Sequence, residues 1–231
     1  MLRSVWQVRA FRFREEVRKS DGQSPGRIWF SLTHKLKSKC ARRQDKCVRL
    51  QVRVPIAGPR EDGLRDPGNE SILTTQFSQF TLSAPLMARL NQNNFITPTP
   101  VQAGCIPPAL EGRDVLATAQ TGTGKTLGFL IPIVEMLQKA QDRNAAQALI
   151  LLPTRELAMQ VEVAFKAIRT SPQQTVALVV GGMQERPQLD AIRRGARLIV
   201  ATPGRLEDYL KRKLVRMDQI QMLVQIGRAH V

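Results

Sequence analysis

The segment Ala119-Gln-Thr-Gly-Thr-Gly-Lys-Thr126 constrains this chain more than any other. It follows a short apolar run, Asp114–Thr118, and opens a helical pattern over Lys125–Lys139. Strand, glycine-bearing loop and helix N-terminus in that order make a cradle for an anion. Gly122 and Gly124 let the backbone curl so that its N–H groups point inward. The helix N-terminus adds partial positive charge. The generic phosphate loop reads G-x-x-x-x-G-K-[ST], and Ala119 stands here at its first glycine. Lys125 is placed to reach the outer phosphates of a nucleotide, and the Thr126 hydroxyl to ligate Mg²⁺. The bland alternative is a glycine-rich turn that happens to precede Lys-Thr. The strand–loop–helix context argues against it.

Three further apolar runs of strand length follow: Ala148–Leu152, Thr175–Val180 and Arg197–Ala201. Each leads into a helical pattern, over Arg155–Arg169, Gln184–Arg194 and Gly204–Lys213. Strands alternating with helices at this spacing predict βαβ units and a parallel sheet with helices on both faces. A fifth strand begins at Ile220–Val224. Upstream of the loop, Leu82–Leu90 reads as a helix with Ser83 as its N-cap and Pro85 in its first turn. Pro98 and Pro100 mark a break before a second short helix, Val101–Leu110.

Charge divides the chain. Its 231 residues carry a formal net charge of +16. Residues 1–70 hold 17 Lys+Arg against 8 Asp+Glu, so the smaller segment carries more than half of the excess. Such a field favours polyanions, nucleic acid first. Residues 1–70 show no sustained period and read as a basic, mostly disordered extension, with Pro55–Asn69 as a linker. The sharper reading is an arm that tethers RNA. Three cysteines without metal-ligand spacing argue against a disulfide framework or a zinc site, and a reducing, cytoplasmic setting is the default expectation. No apolar run reaches the length of a membrane span, so no membrane association is expected.

Four other segments resemble one family when taken with the phosphate loop. Asn94-Phe-Ile-Thr-Pro-Thr-Pro-Val-Gln102, with Phe77 upstream, resembles the Q motif of DEAD-box ATP-dependent RNA helicases, here spanning 76–104. Pro153-Thr-Arg-Glu-Leu-Ala158 resembles motif Ia, Gly181-Gly182 the GG motif, and Thr202-Pro-Gly-Arg205 motif Ib. All five stand in the family's order, and the likeness covers residues 76–224. It looks most like the compact bacterial, RhlE-like members. The resemblance implies a doubly wound parallel sheet of the RecA-like P-loop NTPase kind, over residues 71–224, with ATP and Mg²⁺ as cofactors.

It also implies roles. Gln102 would read adenine, since an amide both donates and accepts. Phe95 would pack against the base and Phe77 close over it, with Thr97 nearby. Ala119, Gln120, Thr121, Gly122, Thr123, Gly124, Lys125 and Thr126 would hold the phosphates and the metal. Pro153, Thr154, Arg155, Gly181, Gly182, Thr202, Pro203, Gly204 and Arg205 would line a track for the RNA backbone, without base specificity. Read without the family, Phe77 and Phe95 are core residues, Gln102 caps a helix, Arg155 is a solvated helix residue and Gly181-Gly182 an ordinary turn.

The sequence departs from the family in two places. Asn94 replaces a glycine, a mild change because Asn tolerates positive φ. After Ile220–Val224 the family continues into Asp-Glu-Ala-Asp, whereas Gln225–Val231 stand here as a tail without counterpart. On that reading the domain is incomplete at its C-terminal side. The fragment alone would bind ATP and RNA without turning ATP over. Two other classes stay open: a non-enzymatic basic RNA binder, and a P-loop kinase or transporter-type ATPase that lacks an adenine-reading Gln.

Overall fold

The computed structural model describes residues 3–10, 50–53, 76–120, 122–140 and 145–228. Seven strands among them form one sheet: β1 (Arg3–Ala10), β2 (Leu50–Arg53), β3 (Val115–Gln120), β4 (Ala148–Leu151), β5 (Val176–Val179), β6 (Leu198–Ala201) and β7 (Met222–Arg228). Their spatial order is β2-β3-β1-β7-β4-β6-β5. β7, β4, β6 and β5 pair in parallel, with Ala148 opposite both Met222 and Leu198. β2 and β3 are also parallel. β1 is antiparallel to β3 on one side and to β7 on the other. Every strand except β1 therefore points the same way, and their carboxyl ends share one edge.

Six α-helices join the described strands: α1 (Ala84–Gln92), α2 (Pro100–Leu110), α3 (Lys125–Lys139), α4 (Arg155–Ile168), α5 (Glu185–Arg193) and α6 (Pro203–Lys211). The two-residue period of the strands sorts their side chains between two cores. Ala148 and Ile150 join Leu198, Val200, Met222 and Val224 in a core under α1, α2, α3 and α4. Leu149 joins Ala177, Val179, Ile199 and Ala201 in a second core under α5 and α6. The α/β, doubly wound architecture read from the sequence is the one observed. α3 is apolar all round from Leu127 to Val134 and lies buried along that length, as such a helix must. Its buried acid, Glu135, accepts from the Ser83 amide at 2.7 Å and the Ser83 hydroxyl at 2.8 Å, which ties the start of α1 to α3.

Two findings correct the sequence reading. The sheet is not purely parallel, because β1 enters it between β3 and β7. And the segment 1–70, expected to lack structure, supplies β1 and β2; the rest of that segment lies outside the described residues. Ser4-Val-Trp-Gln-Val8 carries three of the β-branched and aromatic residues that strands favour, Val5, Trp6 and Val8, but three such residues are too short a signal beside a basic background. β7 also runs past Val224 to Arg228, so Gln225 pairs with Leu151 as part of the ladder.

Helix ends explain two unusual backbone positions. α1 closes with Phe95 N–H on the Leu90 carbonyl and Asn94 N–H on that of Asn91. α6 closes likewise, Leu214 on Tyr209 and Lys213 on Leu210. This six-to-one, five-to-two pairing puts the residue after the cap in the left-handed region. Asn94 has φ 59° and Lys213 φ 54° there. The expectation that Asn94 takes a glycine's conformation is met. Lysine has no such tolerance. Lys213→Gly should therefore stabilise the chain by about 1 kcal/mol, and Asn94→Val should destabilise it by about 1–2 kcal/mol, in urea unfolding; equal midpoints for both would contradict this account.

Candidate nucleotide site and nucleic-acid interface

The phosphate loop leaves β3 and enters α3. Gly122 lies at φ 87° and Gly124 at φ 73°, the latter as the N-cap of α3. The N-cap is a glycine and makes no side-chain cap bond, and a helix start of this kind presents backbone amides and partial positive charge to an anion. Lys125 and Thr126 occupy that first turn, half-buried. Burial lowers the Lys125 pKa below the ordinary lysine value. Ala119 and Gln120 end β3, their backbones paired with Ser4 and Arg3. Thr121 lies outside the described residues.

α2 holds the loop from below. Thr99 and Gln102 form a reciprocal cap on the start of α2, with the Thr99 amide donating to Gln102 Oε1 at 2.9 Å. The same residues reach across: Thr99 Oγ1 donates to the Thr123 carbonyl at 2.9 Å, and Gln102 Nε2 to that of Gly124 at 2.7 Å. A Cβ on Gly124 would stand 2.7 Å from Gln102 Nε2 and 3.2 Å from Thr99 Cγ2. The close approach, together with its positive φ, requires glycine. Gln102 is 3% exposed and does cap a helix, as the plain reading of the sequence had it. Those bonds use one amide hydrogen and one lone pair, which leaves a second of each.

The two aromatics sit differently. Phe77 is buried, edge-on to Phe80 with ring centroids 5.9 Å apart, and its amide bonds the Ile96 carbonyl at 3.3 Å. It is a core residue here. Phe95 is half-buried against the same core, and Thr97 is exposed.

The second group of residues lies at the ends of β4, β5 and β6 and is knitted together. Pro153 and Thr154 are exposed, and the Thr154 hydroxyl caps α4 by accepting from Leu157 N–H at 3.4 Å. Arg155 Nη1 donates to the Gly182 carbonyl at 3.2 Å. Arg205 Nε donates to the Val180 carbonyl at 3.3 Å, and Thr202 N–H to that of Val179 at 3.0 Å. Gly181, Gly182 and Gly204 are exposed; Thr202 stands at the N-cap position of α6 without a side-chain cap bond, and Pro203 is the first residue of the helix. Arg205 is the more constrained of the two arginines. Its guanidinium lies over the Tyr209 ring, 5.6 Å from the centroid, and 3.6 Å from Glu185 Oε2. Glu185 also takes a two-pronged pair from Arg212 at 2.7 Å, and that hydrogen bonding holds its carboxyl below the usual range. The sequence singled out neither Glu185 nor Tyr209, because both are visible only through Arg205.

The comparisons fit this geometry. Residues 99–225 match the profile of the DEAD/DEAH box helicase family. The chain belongs to that family. It is 43% identical over 162 residues to the ATP-dependent RNA helicase HAS1 of Mycosarcoma maydis, covering 65% of this chain and 28% of that protein. HAS1 of Saccharomyces cerevisiae is 35% identical over 179 residues, 73% of this chain and 35% of that protein. A crystal structure of a DEAD box protein from Methanococcus jannaschii superposes with a TM-score of 0.56 at 30% identity, over 63% of this chain and 39% of that one. The chain thus spans about a third of these relatives. Fungal and archaeal relatives correct the expected bacterial, RhlE-like affinity. The five motifs are common to the whole family, so they carry no subtype.

Among the described residues no helix is long and apolar enough to cross a membrane, and no group of three His, Cys, Asp or Glu side chains could hold a metal ion. The two loop glycines should respond differently to a methyl group. Gly122 has open space and Gly124 does not. Both alanine variants meet a left-handed backbone cost of about 1–2 kcal/mol. Gly124→Ala should cost measurably more than Gly122→Ala in urea unfolding, and equal costs would mean that the α2 contact is absent in solution.

Proposed function

We propose that this chain is the ATP-holding and RNA-backbone-holding part of an ATP-dependent RNA helicase. The observation that carries the proposal is the shared carboxyl edge: the phosphate loop leaves one end of it, and the Arg155, Gly181-Gly182 and Thr202–Arg205 segments leave the other. Open α/β sheets bind ligands at that edge.

On this reading Lys125 holds the β- and γ-phosphates as a point charge, beside the first-turn amides of α3. The residues present fit a magnesium nucleotide in part. Thr126 offers one hydroxyl ligand, and the phosphates and water would supply the others. When bound, the ion neutralises charge on the transferred phosphate. Gln102 reads adenine with its remaining hydrogen and lone pair while keeping hold of Gly124, so base recognition and loop shape run through one side chain. Phe95 flanks the base; Phe77 supports it from the core through its contact with Ile96. RNA phosphates meet exposed backbone at Gly181, Gly182 and Gly204, the N-termini of α4, α5 and α6, and the cations Arg155 and Arg205. These groups read no bases. In the whole protein, ATP would drive closure of a second lobe over this edge and bend the strand. Hydrolysis and unwinding belong to that assembly. A reducing, cytoplasmic setting suits the free Cys105, whose thiol burial pushes up to about 12.

A titration tests both grips. The chain should bind ATP more tightly than GTP, and Gln102→Ala should remove a preference of about tenfold, near the lower range for reading one base edge. Arg155→Ala should weaken single-stranded RNA and lower the slope of log affinity against log salt by about 1. ATP and GTP bound alike by the unaltered chain, with a salt slope untouched by Arg155→Ala, would contradict the proposal.

A further inference from the structure

Gly181-Gly182 is the loosest pair of residues that a backbone can contain, since glycine loses the most freedom on ordering. Gly182 also sits at φ 70°. A loop of this kind presents fixed amides to a ligand only if something outside it fixes its shape. The structure holds such a device, on the first turn of α5 rather than in the loop. Gln188 is 5% exposed. Its Oε1 accepts from the Val180 amide at 3.1 Å and from the Tyr209 hydroxyl at 3.3 Å. Its Nε2 faces three carbonyls, of Val180 at 3.0 Å, Gln184 at 3.2 Å and Met183 at 3.4 Å.

Those partners bracket the two glycines. Val180 precedes them, and Met183 and Gln184 follow. The orientation of the amide is fixed by chemistry: its oxygen meets two donors and its nitrogen three acceptors. Tyr209, fully buried, links the amide to α6, and the Tyr209 ring carries the Arg205 guanidinium. The Val180 carbonyl is shared, receiving Gln188 Nε2 and Arg205 Nε. One buried side chain thus connects the glycine loop to the cation of the neighbouring segment.

We infer that Gln188 is a positioning residue for RNA: it holds Gly181-Gly182 and, through Val180 and Tyr209, Arg205 in the arrangement that receives the phosphate backbone. The inference rests on the RNA track proposed above. Gln188 touches no ligand. It acts by sparing the loop an ordering cost at the moment of binding. Apolar replacement would leave the Val180 amide and carbonyls buried without this partner, which is costly for the loop.

The test uses the full chain and a single-stranded oligouridylate as probe, with ATP binding followed in parallel. Gln188→Met keeps length and burial and removes all five contacts. It should weaken oligouridylate about tenfold, as expected for freeing a pre-ordered loop, and leave ATP affinity within about twofold. Amide exchange at Gly181 and Gly182 should speed up. A residue with a merely structural role would weaken both ligands together or neither. If Arg155→Ala and Arg205→Ala weaken RNA while Gln188→Met does not, the Gln188 inference alone falls. If none of the three affects RNA, the track is misassigned and the inference falls with it. Should Gln188→Met fail to fold, the unaltered chain decides. Its Val180 amide should exchange far more slowly than those of Gly181 and Gly182, and exchange at the rate of the open loop would overturn the clamp.

Discussion

The parallel register of β4 with β7 and β6 fixes where the segments after these strands emerge. Ala148, Met222 and Leu198 stand level, and so do Leu151, Gln225 and Ala201. Because these strands run together and end together, the residues that follow them emerge side by side. The alternation along each strand then sends Ala148 and Ile150 to one core and Leu149 to the other. Helices must cover both faces, and each returns the chain so that the next strand ends at the same edge. At that edge exposed loop residues, helix N-termini and arginines gather, among them Thr154, Arg155, Gly181, Gly182 and Gly204.

The two glycine loops on this edge are held by the same means. Gln102 in α2 bonds the carbonyl of Gly124, and Gln188 in α5 bonds the backbone on both sides of Gly181-Gly182. In each case a buried amide from a helix supplies the order that glycine lacks. An amide suits the task because it donates and accepts without charge, so it can be buried among backbone groups at small cost. Each is also joined to a hydroxyl-bearing residue, Thr99 beside Gln102 and Tyr209 beside Gln188. The inner sides of both loops are tied down by these bonds.

Much of this was legible in the sequence because it repeats or is punctuated. The strand–helix alternation placed α3 at Lys125–Lys139, as observed, and the other shared elements within about two residues at each end, except that β7 runs four residues past Val224. Asn94 announced its left-handed backbone, and the spacing of Thr99 and Gln102 is that of a capping pair. Other features left no such trace. β1 is a single short strand in a basic segment, and its antiparallel place between β3 and β7 depends on pairing across more than a hundred residues of chain. Gln188 is one polar residue on an amphipathic helix, where solvent exposure is the ordinary reading. Arg205 stood in the sequence as one residue of the RNA track, and only the fold brings Glu185 and Tyr209 against it. Phe77, a lid for the base by the resemblance and a core residue without it, is packed in the core. The subtype was misread because the motifs that identify the family are the residues least able to divide it.

The most direct test of the account is backbone amide mapping of the chain with two ligands added separately. Magnesium ADP should shift Gly122–Thr126 and the start of α2, and leave Gly181, Gly182 and the start of α6 in place. Oligouridylate should do the reverse. Two disjoint sets of shifted amides along one sheet edge are the predicted result. Shifts from both ligands at one common loop, or RNA shifts confined to residues away from the ends of β4, β5 and β6, would contradict it.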